Sequence, residues 1–274
     1  MGQLDVPGRL PASTGEPFAG DYVTQVFAVA AAEVQKLYHD PVELLTRAVQ
    51  PVLWLMLFGE VMARVRGVVP GDTPYLDFLA AGILAQSALF VAIFYGISAI
   101  WERDLGILQR YLVSPAPRSA LVAGKALSAG VRGLSQTIIV YLLALLLGVG
   151  LSFNPLHIIG VGAVIVLSSA LFSTLSLIIA CIVKTRERFM GIGQVITMPI
   201  FFASNAIYPL SLMPGWLRAV SHVNPLTYEV DALRALMLTN VASEYGLLFD
   251  CAVLAGTTVL LTTIASRMYA RMAY

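Results

Sequence analysis

Apolar residues in this chain fall into long runs separated by short polar stretches, and the runs are sized for a bilayer. A helix needs about 20 apolar residues to cross the hydrocarbon core. Residues 44–63 form the first candidate, with Arg47 and Glu60 near opposite ends and Pro51 predicting a bend. Residues 78–101 form a second run with no charge at all. From Gly133 to Val183 no residue is charged, a stretch of 51 residues that is too long for one crossing. The Asn-Pro pair in SFNPLH, residues 152–157, is a turn signal that divides it into spans at 130–151 and 156–182. A fifth span covers 189–208, bent at Pro199, and a sixth covers 246–266, with Asp250 near its outer end. The predicted fold is an all-α integral membrane protein with six transmembrane helices.

Three further segments carry a helical period without the length of a span. In residues 21–41 the stripe Val23, Val26, Phe27, Ala30, Val34, Leu37 and Tyr38 predicts an N-terminal interfacial helix, with Glu33, Lys36 and His39 off the stripe. Pro41 ends it. After Trp101, Leu105, Leu108 and Leu112 share one face, while Glu102, Arg103, Asp104, Gln109 and Arg110 fill the others. This predicts a short helix running on from the second span. Ser114 to Pro117 (SPAP) stops it, and Arg118 and Lys125 anchor the start of the third span. Between the fifth and sixth spans, Trp216, Leu217, Val220 and Val223 predict one short outer helix. Tyr228, Leu233, Leu236 and Met237 predict another, with Glu229, Asp231 and Arg234 on its wet side and Asn224-Pro225 breaking the two. Two half-inserted, re-entrant helices fit that pattern, because backbone breaks at membrane depth survive only when packed in protein or lining a cavity.

Composition supports the membrane reading. Hydrophobic residues are 58% of the chain, charged residues 12%, and mean hydropathy is +0.81, against about 25% charged residues in soluble domains. Six spans put both termini on one side. With that side cytosolic, the inner segments hold 13 of the 17 Lys and Arg, leaving Arg64, Arg66, Arg218 and Arg234 outside. The expected location is therefore the plasma membrane, multi-pass, with both termini cytosolic. Residues 1–20, rich in Pro, Gly and Ser, read as a flexible cytosolic tail rather than a signal peptide, and residues 21–274 as one transmembrane domain. The net charge of +1 carries no information about nucleic acid, and no nucleic-acid partner is expected. Cys181 and Cys251 are isolated thiols that read as small apolar side chains.

Polar residues inside spans are candidates for lining a substrate path. Gln86, Gln136, Ser169, Ser173, Gln194 and Asn205 are selected from a set that also contains Ser87, Ser168 and Thr174. Ser and Thr also bond back to their own helix or join neighbouring helices. An amide in hydrocarbon needs a partner, which favours Gln136 and Gln194. No charge is placed centrally in a span, which argues against an ion relay. His39, His157 and His222 make no HExxH motif, and no GxSxG is present. His222 with Glu229 and Asp231 could suggest an outer metal site, but the pattern reads as a solvated face. No catalytic and no metal-ligating residue is assigned.

Taken together, these segments resemble the membrane subunit of the type-2 ABC exporters, over roughly residues 20–270. One matching stretch is 102–127, with Glu102, Gly106, Leu108, Leu112, Pro115, Arg118 and Lys125. The other is 199–236, with Pro214, Trp216, Leu217, Asn224, Pro225, Tyr228 and Arg234. The resemblance implies that the segment after the second span is a cytosolic coupling helix docking into an ATPase. Glu102, Leu105, Gly106, Leu108, Gln109, Leu112, Pro115 and Arg118 would form that contact. It also implies outer re-entrant helices carrying Trp216, Asn224, Pro225, Tyr228 and Arg234. The chain has no P-loop. Its only Gly-Lys pair, Gly124-Lys125, is followed by Ala126 and lacks the upstream glycine. ATP and magnesium are therefore expected on a separate cytosolic P-loop ATPase, and this chain binds no cofactor. A second permease copy, identical or related, is implied, surrounded by membrane lipid. The expected function is ATP-driven export of an amphiphilic drug, lipid, glycolipid or glycan. The rival readings are an ion-coupled secondary transporter and a polytopic membrane enzyme.

Overall fold

A computed structural model of the chain describes residue 46 and residues 49–65, 74–105, 118–183, 185–239 and 241–269. The interfacial helix expected at 21–41 lies outside the described residues. So do Gly106, Leu108, Gln109, Leu112 and Pro115, together with the side chain of Arg118.

The described residues are almost entirely helical. Helix α1 covers Val49–Met62, with π-helical turns at Trp54–Gly59. Helix α2, Tyr75–Tyr95, runs on past Gly96 as α3, Ile97–Asp104. Next come α4, Arg118–Leu146, and α5, Pro155–Ile182. They are followed by α6, Arg186–Phe202, and the short α7, Gly215–Val223, and α8, Pro225–Met237. Helix α9 is Leu247–Tyr269. Among the described residues, four stretches are long and apolar enough to cross a membrane: Tyr75–Asp104, Ala123–Leu146, Pro155–Ile182 and Leu247–Met268. The expected fifth span is occupied by the shorter α6, and α1 occupies the described part of the expected first span.

Local chemistry explains where these helices begin and bend. Each Asn-Pro pair starts a helix: Asn154 Oδ1 accepts from Leu156 N and Asn224 Oδ1 from Leu226 N, both at 3.0 Å, with proline at the first helical position. Gly96 marks the joint between α2 and α3. There the Ile93 carbonyl accepts from the Ser176 hydroxyl, and a Cβ on Gly96 would run into that same serine. Helix α4 starts at Arg118 rather than near 130, because a helix need not stop where the hydrocarbon does. Helix α6 ends at Phe202 rather than 208. Its last carbonyls are taken by Ala203 N, Ser204 N and Tyr208 Oη, so the chain turns instead of continuing.

Helix α2 is buried almost all round and forms the centre of the bundle, among α4, α5 and α8. Gly82 allows that packing, since a Cβ there would collide with the Ala206 backbone. The main core gathers residues such as Leu84, Leu89, Ile165, Phe172 and Phe201. A smaller core at the other end joins Ile100, Leu177, Ala180, Val183, Phe189 and Ala265. The bundle thus has two ends. One carries residues 95–104, the first half of α4 and the start of α6. The opposite end carries the 147–154 turn, α7, α8 and the start of α9. There Leu151 bridges Leu238, Ser152 N donates to Met237 O at 2.8 Å, and Gly150 N donates to Asp77 at 3.2 Å.

Candidate functional site

Among the described residues, charged contacts gather around α3, including an ion pair within it between Arg103 and Asp104 at 3.1 Å. Lys125 Nζ of α4 lies 2.7 Å from Glu102 Oε2, with the Lys125 side chain only 8% exposed. Asp104 Oδ2 lies 3.1 Å from Arg186 Nη2, on the first residue of α6. The Arg186 guanidinium also lies over the Trp101 ring, 3.5 Å from its centroid. Nearby, Arg132 lies over Tyr95 at 5.2 Å. Of the expected coupling residues, Leu105 is exposed at the end of α3. Glu102, named for the coupling contact, is engaged by Lys125. Its carboxylate joins α3 to α4. The roles of Trp101, Asp104 and Arg186 were not legible, because nothing in the sequence links residue 186 to residues 101 and 104.

At the opposite end the structure overturns one expectation. Glu229, Asp231 and Arg234 do not face water; all three are buried. Each reaches a different neighbour of α8. Glu229 Oε1 accepts from Ser168 Oγ of α5 at 2.7 Å. Ser168 lies about 20 Å along α5 from its start, in a helix about 42 Å long, so this carboxyl meets the middle of a crossing helix. The sequence reading placed no charge at that depth, because it followed crossing segments only and Glu229 arrives on a helix from outside them. Burial pushes the Glu229 carboxyl up to about 8, opposed by the Ser168 hydrogen bond. Arg234 lies over the Phe78 ring, 3.7 Å from its centroid, and donates to Asn205 O at 3.0 Å. Burial lowers its guanidinium to about 10, opposed by Asp231 and Glu244, so it stays charged at neutral pH.

Asp231 binds the loop before α9. Its Oδ2 accepts from Ser243 Oγ and Glu244 N, each at 2.8 Å, and from Tyr245 N at 3.1 Å. Ser243 Oγ also lies 2.9 Å from Asp250 Oδ2 and accepts from Gly246 N at 2.6 Å. One hydroxyl proton serves one carboxylate, so the second contact is a hydrogen bond only when a carboxyl carries a proton. Asp250, visible in the sequence as an acid within an apolar run, is fully buried here.

Asn224 joins three elements. Besides capping α8, its Nδ2 donates to Ile200 O of α6 at 2.6 Å. Tyr228 Oη donates to His222 O at 2.6 Å, closing the end of α7 onto α8. Trp216 is 71% exposed on the outward face of α7. His222 Nδ1 contacts Tyr245 Oη at 2.9 Å, whereas Glu229 and Asp231 point to other neighbours, so these three do not converge on a metal site.

Among the path candidates, Gln86, Gln136, Ser169, Ser173 and Asn205 are buried between helices of this single chain. Ser173 bonds back to Ala170 O at 3.1 Å, and Ser169 packs where a Cβ on Gly133 would sit. Gln194 alone of the six faces outward, on α6 beside exposed Met190 and Val195.

Comparison with known proteins adds an independent line. The profile of the ABC-2 type transporter family matches residues 24–238. The chain is 28% identical over 225 residues to ycf38 of Cyanophora paradoxa, named as a transport permease, covering 78% of this chain and 74% of that protein. It is 25% identical over 232 residues to the daunorubicin resistance ABC transporter permease protein DrrB1 of Streptomyces coeruleorubidus, covering 84% and 81%. It is 25% identical over 191 residues to the inner membrane transport permease YadH of Escherichia coli K12, covering 66% and 70%.

Proposed function

The chain belongs to the ABC-2 type transporter family, and from that premise we propose that it is the permease subunit of an ATP-driven exporter. The observation that carries this reading is the family match over residues 24–238, on a helical bundle with four apolar helices of crossing length. In this reading α1 and α6 complete six spans, both termini are cytosolic, and α7 and α8 form the outer re-entrant cap. The segment 102–118 docks into a separate cytosolic P-loop ATPase, which holds ATP and magnesium. Two permease copies form the path at their interface, with Gln194 on the facing surface. The cargo is an amphiphile, in keeping with a drug-resistance permease among the relatives. ATP-driven closure of the ATPases displaces the docking segments, and differential binding between the two states drives the spans to rock.

The test is purification of the full chain with the ATPase that associates with it, then export from membrane vesicles. The expected result is export that requires ATP and is blocked by vanadate. A buried carboxyl at mid-depth, Glu229, is the observation that favours an ion-coupled transporter as the second reading. Export that ignores vanadate and collapses with an uncoupler would decide for it.

A further inference from the structure

The two acidic residues near the end of α3 are tied to different helices. Glu102 is held by Lys125 of α4, and Asp104 by Arg186 of α6. The first tie is largely shielded from water. The second is not: the Asp104 and Arg186 side chains are 38% and 33% exposed. An ion pair that open adds little to stability. Nor does α6 gain from a cation at its first residue, where the helix dipole favours negative charge. What Arg186 does is mechanical. Its planar guanidinium stacks on Trp101 while one of its nitrogens, Nη2, donates to Asp104 Oδ2 at 3.1 Å, a stacking and pairing geometry that a lysine ammonium does not reproduce. One turn further on, Phe189 is fully buried in a small core with Ile100 of α3. The end of α3 and the first turn of α6 therefore form one packed unit, with Arg186 as its outermost contact. Further along, α6 exposes Met190, Gln194 and Val195.

We propose that Arg186 is a positioning residue that carries displacement of the segment following α3 into α6, through its stack on Trp101 and its ion pair with Asp104. The proposal rests on the reading of the chain as an ATPase-driven permease. Glu102–Lys125 fixes α3 to α4, so a push on Leu105 and the residues after it is delivered through Asp104 to α6. The helix with the outward-facing glutamine then moves together with α3.

The experiment uses the full chain with its co-purified ATPase in membrane vesicles. Cys181→Ser and Cys251→Ser remove both native thiols, and Val195→Cys, at a position 70% exposed, supplies a reporter on α6. The readout is the rate of labelling by a membrane-permeant maleimide, with and without vanadate trapping in MgATP. Trapping is expected to change that rate in the parent. In Arg186→Ala the ATPase still co-purifies and still hydrolyses ATP, while the trapping-induced change shrinks about two- to thirty-fold. Arg186→Lys falls between the two, and Asp104→Arg combined with Arg186→Asp recovers part of the response. A full response in Arg186→Ala overturns the proposal. So does loss of ATPase binding together with thermal stability in that variant, which would make the residue structural only. A parent that recruits no ATPase overturns instead the permease reading beneath it.

Discussion

Ser168 Oγ donates to Glu229 Oε1 at 2.7 Å, joining the middle of α5 to a helix that does not cross. Both residues are fully buried, and Glu229 Oε2 has no hydrogen-bond partner. A buried carboxyl pushed up to about 8 from 4.5 destabilises the fold when it ionises. The folded state then binds more protons than the unfolded state between those values. Thermal stability in detergent should therefore fall as pH rises from about 4.5 to 8. Glu229→Gln keeps the shape and the acceptor, and should flatten that dependence. Equal pH slopes in parent and variant would show that this carboxyl does not titrate across the window.

Asp231 accepts three hydrogen bonds from residues 243–245, so it holds the loop that leads into α9. Hydrogen bonds to a charged acceptor contribute about 1.5–3 kcal/mol each, and they are not additive. Asp231→Ala should lower stability by about 3 kcal/mol or more, with Asp231→Asn intermediate. Limited proteolysis around Glu244, which is exposed, should quicken in the same order. Unchanged cleavage in Asp231→Ala would remove the loop-holding role.

How much of this was legible in the sequence follows from what hydropathy records. Apolar runs of bilayer length marked α2, α4, α5 and α9, because water cannot hide that much apolar surface. The Asn-Pro pairs marked two helix starts, because capping and a proline at the first helical position are local chemistry. Helix α8 was found, but its polar face was assigned to water. Period alone cannot separate a wet face from a buried one whose charges all have distant partners. Ser168, Asn205, Phe78 and Ser243 supply those partners, far from α8 in sequence or across a turn. Arg186 escaped for the same reason. Its partners lie 82 and 85 positions earlier, joined to it only by the fold.

Among the described residues, Lys125 and Glu102 form the most enclosed ion pair at their end, at 2.7 Å. Glu102 keeps a quarter of its side chain exposed, so the cost of breaking the pair lies below the 3–5 kcal/mol of a fully buried one. A loss of about 1–3 kcal/mol is expected for Lys125→Met or Glu102→Gln. The double variant should recover part of that loss, since both members of the pair are then removed together. Thermal midpoints of the four proteins give the coupling energy. Strictly additive losses would mean that the pair contributes position but no energy.

Two glycines separate close packing from open surface. A Cβ on Gly82 would collide with the Ala206 backbone, which cannot swing aside as a side chain can. Gly82→Ala should force α2 away from the 203–206 turn and cost about 1–3 kcal/mol, as overpacked cores do. Gly191 lies within α6, with no atom of the described residues within 4 Å of the added Cβ. There alanine should stabilise the single chain by about 0.5–1 kcal/mol, because glycine in a helix carries a larger entropy loss. Gly191 also sits on the outward face with Gln194, where the proposed second copy would pack. If Gly191→Ala stabilises the chain yet lowers its dimeric fraction in light scattering, close approach between two copies accounts for the glycine. If the dimeric fraction is unchanged, the two copies do not meet closely at Gly191.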